Sequence, residues 1–183
     1  DVGEAIDPPE DEEARQPAEH RAPLNRRRHE AVHGVLRELG ARSVVDLGCG
    51  AGQFLHRLLP DAAFSRLVGT DVSARALQLA ARRLLPEDRS ERRSERVQLF
   101  QSGLTYEDDR LAGFDAAVLM EVVEHVDLDR LPALERVVFG TARPGAVLVT
   151  TPNSEYNTLF PALTGMRHTD HRFEWSRAEF SRW

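Results

Sequence analysis

Short, largely apolar runs alternate along the chain with stretches in which apolar residues recur every three or four positions. The runs at 43–47, 67–71, 97–100, 114–120 and 145–150 predict five strands. Between them, Phe54, Leu55, Leu58 and Leu59 predict one helix, and Ser73 is placed to cap another that runs to about residue 85. Helical periodicity returns over 128–139. An amphipathic helix precedes the first strand, with Leu24, Val32, Val35, Leu36 and Leu39 as its apolar positions and Gly40 as its stop. Strands alternating with helices imply an α/β fold, a mostly parallel sheet with helices on both faces.

Two segments stand apart. Residues 1–23 combine acids and prolines with almost no apolar periodicity and read as a linker or disordered tail, which leaves 24–183 as one domain. Residues 86–94 are polar and arginine-rich, a solvated loop.

Composition narrows the classes. A chain of 183 residues, 41% of them apolar, suits one globular core. No apolar run approaches the roughly 20 residues that span a bilayer, so no membrane is expected as a partner. One cysteine, Cys49, excludes an internal disulfide and fits a reducing cytoplasm. The net charge of −6 argues against a general nucleic-acid coat but leaves room for a partner that contributes few phosphates. All 24 basic residues are arginine, and Arg21, Arg26, Arg27 and Arg28 form a small cluster. The chain starts without methionine and stops at Trp183 in a segment that still reads as helical, so both ends are expected to be cuts in a longer protein.

Candidate chemistry begins where the fourth strand breaks into Glu121-Val122-Val123-Glu124-His125. If the break is the first turn of a helix, Glu121, Glu124 and His125 share one face at i, i+3 and i+4. Two carboxylates and an imidazole gathered at the end of a buried strand cost solvation energy, which a divalent metal would offset. The competing reading is a solvated helix N-terminus, where acids are favoured by the dipole.

A second constellation follows the first strand. Strand, Gly48-Cys49-Gly50-Ala51-Gly52, then helix is a nucleotide-cofactor cradle in which backbone N–H groups approach the ligand. Asp71 ends the second strand about 20 residues on, where a carboxylate binds a ribose diol. A P-loop requires lysine, which is absent here. A dinucleotide or S-adenosylmethionine remain as ligands.

VVDLGCGAGQF (44–54) and GTDVS (69–73) resemble motifs I and II of the class I S-adenosylmethionine-dependent methyltransferases, whose fold is Rossmann-like. The resemblance implies Gly48 and Gly50 in the cofactor loop, Asp46 near the cofactor's cationic end and Asp71 on its ribose. Ser102 and Leu104 fall where the family contacts adenine, and Met120 where it flanks the adenine or the methionine arm. A sulfonium beside an ammonium prefers a neighbouring carboxylate, which a pyrophosphate would not.

EVVEHV (121–126) taken with TPNSEYN (151–157) and DHRFEW (170–175) resembles the RNA 3′-terminal ribose 2′-O-methyltransferases, the small-RNA methyltransferases and their bacterial RNA-repair relatives. That resemblance spans about 24–183. It implies Glu121, Glu124, His125 and His171 as metal ligands and catalytic residues, with His168 as the rival to His171. Mn²⁺ suits such mixed ligands better than Mg²⁺, which remains possible, or Zn²⁺. A metal would acidify the ribose hydroxyl, and only a 3′-terminal nucleotide offers a 2′,3′-diol to chelate it. An RNA kinase–phosphatase/ligase is the implied partner, acting through regions outside this chain. Arg167, Arg172 and the TPNSEYN segment are candidates for phosphate and ribose contacts. Phe173 and Trp175 read as packing residues ahead of base-stacking platforms. The family fold has seven strands and this chain accounts for five, so the C-terminal pair is expected to be missing. Two other functions stay open, a small-molecule O-methyltransferase and a non-catalytic S-adenosylmethionine-binding domain.

Overall fold

The computed structural model describes residues 24–85, 95–160 and 163–183, so the expected tail at 1–23 and loop at 86–94 lie outside the described residues. Five strands form one parallel sheet in the order β3-β2-β1-β4-β5: β1 Ser43–Leu47, β2 Arg66–Asp71, β3 Val97–Gln101, β4 Ala116–Met120 and β5 Ala146–Thr150. The chain winds outward from β1 to β3, then restarts on the other side with β4. That reversal opens a crevice at the carboxyl ends of β1 and β4, where doubly wound sheets bind ligands.

Side-chain alternation along each strand divides the core in two. Val44, Leu67 and Val118 point to the face covered by α1 (Leu24–Glu38), α2 (Gln53–Leu58) and α3 (Ala74–Leu84), packing on Leu36, Leu55, Leu58 and Leu84. Val45, Val68, Ala117 and Leu119 point the other way, onto Leu131, Leu134 and Val138. Burial on both faces explains why the strands read as runs, without polar alternation. Each buried leucine is worth about 1.5–3 kcal/mol against exposure, so this double layer is the main support of the crevice. Ser73 caps α3 as expected, accepting from the Ala76 N–H at 3.2 Å.

The element after β4 differs most from expectation. Periodicity over 128–139 predicts one helix, but the structure has a 3₁₀ turn (Leu128–Arg130), a short α4 (Leu131–Glu135) with Pro132 near its start, and a π-helical continuation (Arg136–Ala142). The wide turn still buries Val137, Val138 and Ala142 while leaving Phe139 exposed. Strand β4 begins at Ala116, two residues later than expected; just before it the Asp115 backbone still bonds to Ser43 and Ala146, and its carboxylate accepts from the Arg42 and Ser43 N–H groups, both at 2.8 Å. No helix among the described residues is long and apolar enough to cross a membrane. A last short helix, α5 (Arg177–Arg182), follows DHRFEW and opens with a capping box between Ser176 and Glu179.

Candidate active site

A cleft of about 530 Å³ sits at the carboxyl ends of β1, β2 and β4. Gly48, Asp71, Ser102, Leu104, Glu121 and His125 all line it, so the structure brings these expected site residues together. Gly48 has φ +84°, and a Cβ there would lie 2.8 Å from a Val122 methyl. Only glycine lets this backbone border the cleft. Gly50, at φ +52°, turns its N–H to the Asp71 carboxylate at 2.9 Å. Ser73 N–H holds the other Asp71 oxygen at 2.8 Å. The carboxylate is thereby fixed, with lone pairs left for a ligand hydroxyl. Tyr106, Val122 and Val126 add apolar and aromatic wall.

Asp46 lies beneath the loop, 3% exposed. Burial, with the Asp71 charge adding to it, pushes its carboxyl up to about 7. Burial also pushes the Cys49 thiol up to about 12, which makes it a packing residue with no thiolate chemistry. Met120 packs against the core under α1–α3 and does not line the cleft.

Beyond β4 the expected helical turn is not formed. The Glu121 N–H extends the ladder by donating to the Thr150 carbonyl at 2.9 Å, and then its φ of +54° turns the chain sharply. A left-handed non-glycine residue costs about 1–3 kcal/mol, so the surroundings must hold it. They do: Thr150 Oγ1 donates to Glu121 Oε1 at 2.9 Å, and the Arg28 guanidinium pairs with Oε2 at 3.0 Å. A 3₁₀ turn, Val123–His125, follows. Glu121 is thus drawn toward α1 and β5, while Glu124 and His125 face DHRFEW.

Those two meet His171. One ligand atom from each of Glu124, His125 and His171 lies within 4.8 Å of the others. Glu121 is not brought into that group. Glu124 is wholly buried, and burial, with Glu121 reinforcing it, pushes its carboxyl up to about 7. Thr151 Oγ1 donates to its Oε2 at 3.1 Å, but Oε1 is buried with no hydrogen-bond partner among the described residues. A buried acceptor left alone costs roughly 1–3 kcal/mol. A divalent cation among these atoms would remove that deficit, so the residues fit one.

The two imidazoles are presented for it. His125 Nδ1 donates to the Asp170 carbonyl at 3.3 Å, leaving Nε2 as the free acceptor, and burial followed by the nearby His171 holds its pKa below the usual histidine range. His171 Nδ1 meets Glu174 Oε1 at 2.6 Å, which likewise frees Nε2. Burial alone would raise the Glu174 carboxyl, yet hydrogen bonds from Asn157, His171 and the Arg167 N–H more than offset it and hold it below the usual range. A carboxylate behind a ligating histidine sets its tautomer and direction. DHRFEW itself is anchored by the Arg172 N–H, which donates to the Glu124 carbonyl at 2.7 Å, and by a bridge between Asn153 and Trp175. His168 lies outside the ligand group, its ring centroid 6.4 Å from His125 and 5.6 Å from His171.

Sequence reasoning assigned no supporting role to Glu174 or Thr150, read Thr151 only within the TPNSEYN segment and Arg28 only within the arginine cluster. Only Glu174 left a local signal, three residues after His171. Arg167 is spent internally, its guanidinium donating to Asn157 Oδ1 at 2.6 Å and to the Asn153 carbonyl at 2.8 Å. Arg172 pairs with Asp127 at 3.2 Å on the surface. Phe173 is buried and stacks on Trp175 with centroids 4.2 Å apart, so both are packing residues.

A family model described as a methyltransferase domain matches residues 45–148. The small RNA 2′-O-methyltransferase of Gallus gallus is 38% identical over 165 residues, covering 88% of this chain and 44% of that protein. The chain thus spans about half the length, or less, of the curated relatives it matches. Among solved structures, the methyltransferase domain of bacterial CtHen1 is 43% identical with a TM-score of 0.78, covering 88% of this chain and 82% of that one. The small RNA methyltransferase HEN1 is 30% identical with a TM-score of 0.80, covering 92% of this chain and 23% of that one.

Proposed function

We propose, since the chain belongs to the class I methyltransferases and within them to the small-RNA 2′-O-methyltransferase family, that it moves a methyl group from S-adenosylmethionine to the 2′-hydroxyl of the 3′-terminal nucleotide of RNA. The observation that carries this reading is the Glu124–His125–His171 group, with its orphaned Glu124 oxygen, beside the glycine-loop cleft.

The chain's residues divide the work. Asp71, fixed by two backbone donors, accepts the cofactor's ribose hydroxyls. Ser102 and Leu104 flank the adenine, and Asp46 offers its carboxylate toward the cationic end. Glu124, His125 and His171 would hold the metal, for which two imidazoles and a carboxylate favour a borderline ion such as Mn²⁺ over Mg²⁺. When bound, that ion lowers the pKa of a ribose hydroxyl and orients it. Glu121 stands at the border of both halves and joins the ligand set if its ties to Arg28 or Thr150 give way. Catalysis then rests on placing hydroxyl and methyl in line, which a pre-fixed cleft achieves by lowering the entropy of approach. A place in bacterial RNA repair, beside a kinase–phosphatase/ligase, belongs to the same proposal and rests on the sequence resemblance alone.

The test is transfer of labelled methyl to matched short RNAs ending in a free diol, a 2′-deoxy sugar or a 3′-phosphate, with and without Mn²⁺. Transfer to the diol alone, and only with metal, is expected. Equal transfer to all three termini would put the methyl elsewhere on the RNA and overturn the terminal-diol reading, and no transfer to any would redirect the search to small-molecule acceptors.

A further inference from the structure

The arginine cluster at the start of α1 is not used by the site described above, apart from Arg28. Arg28 turns toward the acceptor site and pairs with Glu121. Of the cluster, Arg26 lines a hollow of about 540 Å³ between α1 and α2, together with Asn25, His29, Gln53, His56, Arg57 and Pro60. We propose that this hollow is a second RNA subsite, which takes backbone phosphates of the nucleotides preceding the 3′-terminal one. The inference rests on the RNA reading and extends it.

Charge is the first support. Arg26 and Arg57 both lean on one carboxylate oxygen, Glu30 Oε1, at 3.0 and 2.8 Å. Two cations against one anion leave the hollow positive, in a chain whose net charge is −6. No acid is among the lining residues. His29 reports the same field: burial first, then Arg57 and Arg28, hold its imidazole below the usual range. Its ring packs at a tilt against Phe54, with centroids 5.4 Å apart.

Donor chemistry is the second. Guanidinium groups match phosphate with paired N–H donors, and the Asn25 and Gln53 amides stand beside them. Such contacts read no base, so they add affinity without sequence preference. Contiguity is the third. Arg28, paired with Glu121 at the edge of the described site, and His29, which lines the hollow, are neighbours on α1, so one helix borders both. A small-molecule acceptor would make no use of the hollow.

The experiment compares binding of a diol-ended dinucleotide and decanucleotide by fluorescence anisotropy across a KCl series. The proteins are the wild type, Arg26→Gln/Arg57→Gln, and Arg42→Gln as a charge control, since Arg42 is an exposed arginine just before β1, at the opposite end of the strands from the crevice. Glu30 stays solvated in the double variant, and retained cofactor affinity reports its fold. The wild type is expected to bind the longer RNA more tightly. The double variant should bind it about tenfold more weakly, with the salt slope reduced by about 1.4, or about 0.7 for each phosphate that is no longer neutralised. Arg42→Gln should stay within about twofold. An unchanged gain with length in the double variant, or an equal loss in Arg42→Gln, would overturn the subsite. A wild type that methylates the diol terminus yet gains nothing from length would remove the subsite alone, whereas a wild type that neither binds nor methylates RNA would remove the parent reading with it.

Discussion

The two halves of the site are built on opposite principles. On the cofactor side, Asp71 finds its partners in the turns that follow two adjacent strands, the Gly50 and Ser73 N–H groups. On the acceptor side, three segments far apart in sequence converge, and the convergence is incomplete. Glu124 buries an oxygen with nothing among the described residues to bond it. A finished cradle binds its ligand with little rearrangement, whereas an unfinished one is completed by what it binds. On the proposed function, this contrast assigns cofactor recognition to the fold and acceptor activation to an added ion.

The sharpest way to break that contrast is to damage each half separately. Glu124→Ala should reduce methyl transfer by at least about 10²-fold, the scale of losing a group that acts in the transition state, while S-adenosylmethionine affinity by calorimetry stays within severalfold. Asp71→Ala should do the reverse and weaken cofactor binding first, with Mn²⁺ affinity held. Matching losses of both ligands in either variant would mean that the halves are one unit.

Next in size is the support behind the metal ligands. Glu174→Gln should lower Mn²⁺ affinity about 10–100-fold by loosening the tautomer and direction of His171. His168→Ala, outside the ligand group, should lower it far less than His171→Ala. A larger loss at His168 would reassign the ligand.

The smallest expected effect is a pH dependence on the cofactor side. The folded value of Asp46, about 7, lies above its ordinary one. The native state therefore keeps a proton that the unfolded chain releases above about pH 4. This contribution is fully present below about pH 4 and is lost as pH rises through the folded value. Without cofactor, the melting temperature should fall between about pH 4 and pH 7 more steeply in the wild type than in Asp46→Asn. Identical slopes would return Asp46 to an ordinary carboxylate.

Legibility in the sequence followed the same division. The glycine loop and Asp71 are short-range patterns whose spacing maps directly onto strand ends, and both lie where they were expected. The alternation of runs and periodic stretches likewise specified the sheet, because burial on two faces leaves a visible apolar mark. Helical spacing at Glu121–His125 was misleading, since nothing local announces a left-handed glutamate held by Thr150 and Arg28 from distant elements. Met120, which the resemblance puts beside the adenine or the methionine arm, lies partly buried against the core under α1–α3, the packing that its apolar side chain equally allows. The π-helical turn at Arg136–Ala142 keeps the same inward residues as an α-helix would, so periodicity did not distinguish them. Arg28 matters through a contact that no spacing rule encodes, whereas Glu174 carries a local mark in its place three residues after His171.

The central claim, that a divalent ion completes the acceptor half, is met most directly by titrating Mn²⁺ into the wild type and Glu124→Gln and following binding by calorimetry and thermal melting. The wild type should bind one ion and gain about 2.7 kcal/mol of stability at a hundredfold excess over Kd, with binding and gain both lost in Glu124→Gln. Equal affinity and equal gain in the two proteins would contradict it and leave the buried oxygen without an ion to explain it.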